Sequence, residues 1–197
     1  MLTTIKDYTV AFIVMLLLVF ATGVKAQDPL PANKDYTDFN HCFDFSEFAE
    51  PENVDYDLLS VLCSFIEISG VGYVHHSDVR PLERYEAIGM WDGYEELHAK
   101  SLHKTGDALD FHFKIPAGRD PIIYFREQFF ALYYFILGNK LYEYGIGLYY
   151  WGLDRWSLHL DNGRGMKPNR RWALLEGQTV SIGMAMDELI RQARAGL

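Results

Sequence analysis

Cysteine is scarce in this chain, with two residues, Cys42 and Cys63, among 197. Neither has a soft donor beside it in the sequence, which argues against a structural zinc–thiolate site. Basic residues are also in deficit: 18 Lys and Arg stand against 27 Asp and Glu, for a formal net charge of −9. Binding along a nucleic-acid backbone needs clustered positive charge, so a nucleic-acid partner is disfavoured. A strongly anionic membrane surface is a poor partner for the same reason. There is no internal repeat and no long low-complexity linker. A glycine-framed nucleophile elbow and a serine–histidine–aspartate arrangement are both missing, so nucleophilic serine chemistry has no support. The marked apolar run from Thr9 to Ala21 is shorter than the roughly 20 residues of a membrane-spanning helix.

That run has the context of a secretory signal peptide. Lys6 precedes it, and Val24 and Ala26 occupy the small-residue positions before a cleavage point at Gln27. Residues 1–26 are therefore expected to be a leader, and 27–197 one mature domain with one core. An uncleaved N-terminal anchor is the alternative reading. Without a Cys at the cleavage point, a bacterial lipid anchor is disfavoured. Removing the leader takes away Lys6, Lys25 and Asp7, leaving the mature chain one unit more negative. The expectation is a periplasmic or secreted monomer with no stable membrane span once the leader is cleaved. Export also permits a Cys42–Cys63 disulfide, which would pin the N-terminal segment to the first helix; two buried thiols are the other possibility.

Periodicity then supplies the elements. Residues 27–55 are rich in Pro, Asp and Asn and read as irregular. Asp55 can cap a helix from Tyr56, with Leu58, Leu59, Leu62, Phe65 and Ile66 as its buried stripe and Gly70 and Gly72 ending it. Val71–His76 reads as a short strand, left at Val79-Arg80-Pro81. Ala108–Phe113 alternates as a strand. Pro121 opens a helix ending at Gly138 and Asn139. Gly145–Tyr150 and Trp156–Asp161 read as strands, and Ser181–Ala195 as the last helix. Asn169-Arg170-Arg171-Trp172 reads as a solvated basic turn, with contact to a sugar or an acidic peptide group as the alternative. The order fits an α+β domain with a small antiparallel sheet packed by helices.

A catalytic zinc needs three protein ligands and an open position. His103 and Asp110 flank Gly106, where a tight turn can bring the chain back onto a strand. Strand alternation puts Asp110 and His112 on one face and His159 and Asp161 on one face of another strand. Two adjacent strands could place Asp110 beside His159, giving a workable site with two nitrogens and one oxygen. Hydrogen-bonded polar residues are the plain alternative.

Ser101-Leu102-His103-Lys104-Thr105-Gly106-Asp107-Ala108-Leu109-Asp110 resembles the S-x-H-x-x-G-x-A-x-D signature of the zinc D-alanyl-D-alanine carboxypeptidase/endopeptidase family. Ser157-Leu158-His159-Leu160-Asp161 resembles its shorter H-x-D signature, and Gly145–Tyr149 the glycine-led strand before it. The resemblance runs from about Arg80 to Asp161. It implies a hedgehog/DD-peptidase fold, Zn2+ held by His103, Asp110 and His159, and hydrolysis of amide bonds in peptidoglycan stem peptides or crosslinks, by a carboxypeptidase or an endopeptidase. Ser101 is expected to support the turn. Ser77-Asp78-Val79-Arg80-Pro81 is similar to a diverged serine–glycine–aromatic–arginine segment, with Asp78 in place of the glycine. By that likeness Arg80 lies beside the metal and steadies the carbonyl or the substrate carboxylate. The chain departs from the family at the general base. The Glu found three residues before the last His in many members is Trp156 here, and the His found five residues before it in others is Asp154. Asp154 is the expected base, with Asp161 and His112 as rivals; Asp161 alternatively accepts a hydrogen bond from a ligand imidazole. Trp156 motivates a second reading, a catalytically inactive, metal-containing cell-wall-binding domain.

Overall fold

Asp55 starts the first helix by accepting the Leu58 amide through its carboxylate at 2.9 Å, which satisfies one of the amides a helix start leaves unpaired. A computed structural model describes residues 35–80, 99–150 and 156–195. The expected leader and Asp154 lie outside the described residues. Helix α1 spans Tyr56–Ser69, α2 Pro121–Gly138 and α3 Ile182–Ala195. Proline at the first turn of α2 and the Asp120 cap on Ile123 reproduce the pattern expected of a helix start. Short 3-10 turns at Tyr36–Phe39, Phe45–Glu47 and Pro51–Asn53 precede α1, and another spans Leu102–Thr105.

Six strands form an open sheet in the order β1-β2-β4-β3-β5-β6. They are β1 Tyr73–Ser77, β2 Ala108–Phe113, β3 Gly145–Tyr150, β4 Trp156–Asp161, β5 Arg171–Leu175 and β6 Gln178–Val180. Four of the strands follow the expectation closely; β5 and β6 were not foreseen. The sheet is also mixed rather than wholly antiparallel, because β5 runs parallel to β3. The reason is the path of the chain. Strand β4 ends with Asp161 opposite Gly145, at the start of β3. The segment 162–170 then crosses that end, so the chain re-enters on the far side of β3 running in the same direction.

Period-2 alternation divides the sheet into two faces. Leu109, Phe111, Ile146, Leu148, Leu158 and Leu160 are fully buried in the core. The helices cover this face. Phe65 of α1 lies 5.3 Å from Phe113 and 5.5 Å from Phe135 of α2, centroid to centroid. Helix α3 packs on α2 and β5 and buries Ala185, Met186 and Leu189. Burying a Leu or Phe side chain contributes about 1.5–3 kcal/mol, so these rows anchor the strands whose other face carries the site. A Cys42–Cys63 disulfide, with Cα atoms 5.5 Å apart, pins the N-terminal segment to α1. Among the described residues, no helix is long and apolar enough to cross a membrane.

Candidate metal centre

The turn that delivers the first two site residues is built around Gly106. Ser101 caps it, its hydroxyl accepting the His103 amide at 3.3 Å. Gly106 then takes φ +73°, a left-handed conformation that costs glycine little. A Cβ there would also run into the carbonyl of Asn53. The chain reverses, and Asp107 ties the new strand to the end of β4: its carbonyl accepts the Asn162 amide at 3.1 Å and its carboxylate accepts Asn162 Nδ2 at 2.6 Å. Asp110 then stands directly across from His159 in the β2–β4 register.

His103, Asp110 and His159 thereby meet as three buried residues, each offering one donor atom, all within 4.8 Å of one another. Asp110 Oδ1 is 2.7 Å from His159 Nδ1, and Asp110 Oδ2 is 3.3 Å from His103 Nε2. Metal–ligand bonds of about 2.0–2.1 Å set ligand atoms roughly 3.3 Å apart at tetrahedral angles, so the second separation already suits a shared cation. The imidazoles are each fixed from behind. His103 Nδ1 donates to the Asp78 carbonyl at 2.7 Å, which turns Nε2 inward, where it is buried without a hydrogen-bond partner. His159 Nε2 lies 3.2 Å from Asp161 Oδ2; donation there leaves the Nδ1 lone pair for a cation. Partners of this kind set the tautomer and direction of metal-ligating histidines. The donor set therefore fits a divalent metal.

Electrostatics accords with the geometry. Burial opposes ionisation of Asp110, yet the neighbouring imidazoles of His103 and then His159 hold its carboxyl well below the usual range. Burial lowers the pKa of His103 against the pull of Asp110, leaving a neutral ring suited to ligation. Burial also works against protonation of His159, but its hydrogen bonds to Asp110 and Asp161 raise its pKa. Such a proton has to leave before a cation can bind.

Arg80 lies against Asp110. Its guanidinium donates to Asp110 Oδ2, its Nε donates to Ser77 Oγ at 2.8 Å, and its backbone amide donates to the His103 carbonyl at 2.9 Å. Of the rival bases, Asp161 is fully buried behind His159, accepts the Gly163 amide at 2.8 Å and pairs with Arg170. That arrangement makes it the orienting partner. His112 lies on the same face two residues after Asp110, with its Nδ1 only 2.5 Å from His76 Nε2. Burial, then the neighbouring His76, lowers its pKa to about 4. The Trp156 ring centroid lies 4.0 Å from that of Phe125, an aromatic contact with α2. His75 is stacked on Phe48 at 3.9 Å and lies 3.3 Å from Asp78, outside the ligand set.

Three contributors escaped the sequence reading. Asp78 accepts the amides of Ala49 and Glu50 at 3.1 and 3.0 Å while its carbonyl holds His103. Tyr149 carries its hydroxyl to 3.5 Å from His159 Nδ1, and burial pushes its pKa up. Trp172 lies 5.0 Å from the His159 ring. The expected solvated basic turn at 169–172 is corrected accordingly: Arg171 and Trp172 belong to β5, and Arg170 is paired with Asp161. Only pairing with β3 reveals this. Gly147 opposes Trp172, and a Cβ on Gly147 would sit 2.5 Å from the indole. A Cβ on Gly145 would meet Asp161 and Arg170 at 2.5–2.6 Å. The glycines leading β3 thus make room for the groups around His159.

A second group of metal-type donors, His41, Cys42, Cys63 and Glu67, also lies close together. Its sulfurs are joined in the disulfide, so it offers no thiolate, and His41 and Glu67 are exposed. Comparison of the chain with protein-family models, curated proteins and solved structures finds no match.

Proposed function

We propose that this protein is an exported zinc-dependent peptidase that hydrolyses amide bonds in peptidoglycan stem peptides or their crosslinks. The observation that carries the reading is the convergence of His103 Nε2, Asp110 and His159 Nδ1, with the remaining nitrogen of each imidazole committed to an orienting acceptor. The signature residues Ser101 to Asp110 and His159, in their order and with Arg80 at the site, support the peptidase family over other metal hydrolases. A bound zinc would polarise the scissile carbonyl and lower the pKa of its water. His103, Asp110 and His159 would hold the cation. Arg80 receives the negative charge of the carbonyl oxygen or of a terminal carboxylate, since its guanidinium lies against Asp110. Asp154 takes the proton from water and passes it to the leaving amine.

Mass spectrometry of purified peptidoglycan fragments after incubation with the zinc-loaded mature chain tests this. Loss of a terminal D-alanine identifies a carboxypeptidase, and separation of crosslinked stems an endopeptidase. Cleavage at the sugar–peptide link would replace the reading with an amidase. Trp156, packed on Phe125 where relatives of the resembled family carry glutamate, favours a second reading: a metal-containing cell-wall-binding domain without catalysis. Zinc binding and retention on peptidoglycan with no released product would establish that one.

A further inference from the structure

Tyr149 is bound to the candidate centre by more than proximity. It projects from β3 on the face shared with Gly147, His159 and Asp161, because Tyr149 pairs with Ser157 and Gly147 with His159. Its hydroxyl lies 3.5 Å from His159 Nδ1, the nitrogen turned toward Asp110. The Trp172 indole lies on the same face, opposite Gly147 in the β3–β5 register and 5.0 Å from the His159 ring. It has room there only because Gly147 has no side chain, a Cβ on which would fall 2.5–2.7 Å from the indole. Arg170 lies over the other ring system at 5.6 Å from the Trp172 centroid and is itself anchored by Asp161. The phenol and the indole therefore meet at a ligand histidine, in space that a glycine leaves open.

A phenol O–H is a donor, and His159 Nδ1 lies 3.5 Å from the Tyr149 oxygen as an acceptor. With the Nδ1 lone pair taken by a cation, the proton turns to an oxygen of the bound ligand. Arg80, three residues past the end of β1, approaches Asp110 from that side and Tyr149 approaches His159 from β3, so the two donors flank the centre from opposite sides of the β2–β4 pair.

We infer that Tyr149 is a further catalytic residue of this centre, its hydroxyl donating a hydrogen bond to the scissile carbonyl oxygen as that oxygen becomes an oxyanion. The inference rests on the peptidase reading. In the step concerned, the water oxygen forms a bond to the carbonyl carbon and the C=O π pair moves to oxygen. The water proton goes to the general base, and on collapse the C–N bond breaks and the amine leaves with that proton. Tyr149 transfers no proton; it stabilises charge present in the transition state and much weaker in the substrate.

The test compares the zinc-loaded wild-type chain with Tyr149→Phe and Trp172→Phe, using the muropeptide that the wild type cleaves and a phosphinate pseudodipeptide whose P–O− imitates the oxyanion. Tyr149→Phe is expected to lower kcat by about 10²-fold, the scale of one lost oxyanion donor, with KM changed by less than about threefold and zinc content unchanged. Phosphinate affinity by calorimetry falls by a comparable factor. Trp172→Phe keeps an aromatic ring beside Gly147 but loses the N–H, and gives a smaller loss in the same two quantities. Unchanged kcat in Tyr149→Phe overturns the inference. So does a fall in kcat with full phosphinate affinity, or a loss of zinc, since either makes Tyr149 a support for His159. A wild type that neither cleaves muropeptides nor binds the phosphinate removes the peptidase reading, and the inference with it; an active wild type beside an equally active Tyr149→Phe removes the inference alone.

Discussion

The two faces of the sheet are almost equally dry and are held together by opposite means. On the helix side, Phe111, Leu158 and Leu160 are 0% exposed; on the other, Asp161 is 0%, Asp110 5% and His159 6% exposed. Apolar burial stabilises the first face directly, by about 25 cal/mol per Å². The second gains nothing of the kind. Its carboxylates and imidazoles lose hydration, and each must be matched by a partner to be tolerated. Asp110 has His103, His159 and Arg80, while Asp161 has His159, Arg170 and the Gly163 amide. A fold needing only a stable sheet would fill those positions with hydrocarbon. Three donors of ligand type converging in that setting mark the face as one that can hold a metal ion.

The largest effect comes from breaking the polar face at its centre. His103→Ala, Asp110→Ala and His159→Ala are each expected to reduce zinc in the purified protein to trace levels. The affinity loss should exceed the 10–100-fold cost of removing an orienting partner. Zinc should raise the melting temperature of the wild type and leave these variants unmoved. Full metal occupancy in all three would eliminate the site.

Leu158→Ala breaks the opposite face one residue from His159. It is fully buried, so a loss of about 2–5 kcal/mol is expected in urea unfolding. At temperatures where the variant remains folded, zinc affinity should stay within a few fold of wild type. A collapse of both quantities together would mean the faces are not separable.

The same comparison explains what was legible in the sequence. Alternation and capping located the helices and the strands from β1 to β4, because Leu109-Asp110-Phe111 and Leu158-His159-Leu160 record both faces at once. Strand β5 carries no such record. Arg171-Trp172-Ala173-Leu174-Leu175 does not alternate, and its parallel partner β3 is separated from it in the chain by β4. The ligand set was legible because a turn with fixed glycine geometry imposes a local spacing. Asp78, Tyr149 and Trp172 were not, because their importance arises from contacts with residues distant in sequence: Asp78 with Ala49 and His103, Tyr149 with His159, Trp172 with Gly147.

Asp78 permits a pH test of how the polar groups are held. Burial opposes its ionisation, but hydrogen bonds from His75 and from the Glu50 and Ala49 amides bring its pKa from 3.8 down to about 2. A carboxylate with a depressed folded-state pKa contributes in full above its unfolded value, and the contribution fades as pH falls through the folded value. Asp78→Asn should therefore be less stable than wild type by about 2 kcal/mol at pH 7, on the scale of 1.36 kcal/mol per unit. The gap should close progressively between about pH 4 and pH 2. An equal gap at pH 7 and pH 2 would assign the loss to packing instead of ionisation.

Gly147→Ala is the mildest of these changes and the sharpest discriminator between the faces. The added methyl enters the space of the Trp172 indole, 2.5 Å from its nearest atom. Relief requires the indole to move away from β3, at a cost of about 1–3 kcal/mol for an overpacked contact. The main chain of β3 need not shift, since Ile146 and Leu148 anchor it from the other side. The expected signature is a small fall in stability, a change in tryptophan emission and a weakened Trp172–Tyr149 contact, with the helix-facing core intact. Replacing Trp172 by Ala in the Gly147→Ala background should recover stability by opening the space, without restoring the hold on Tyr149. If the double variant were no more stable than the single one, the clash with Trp172 would not be the cause. The glycine-led strand would then need an explanation other than making room beside His159.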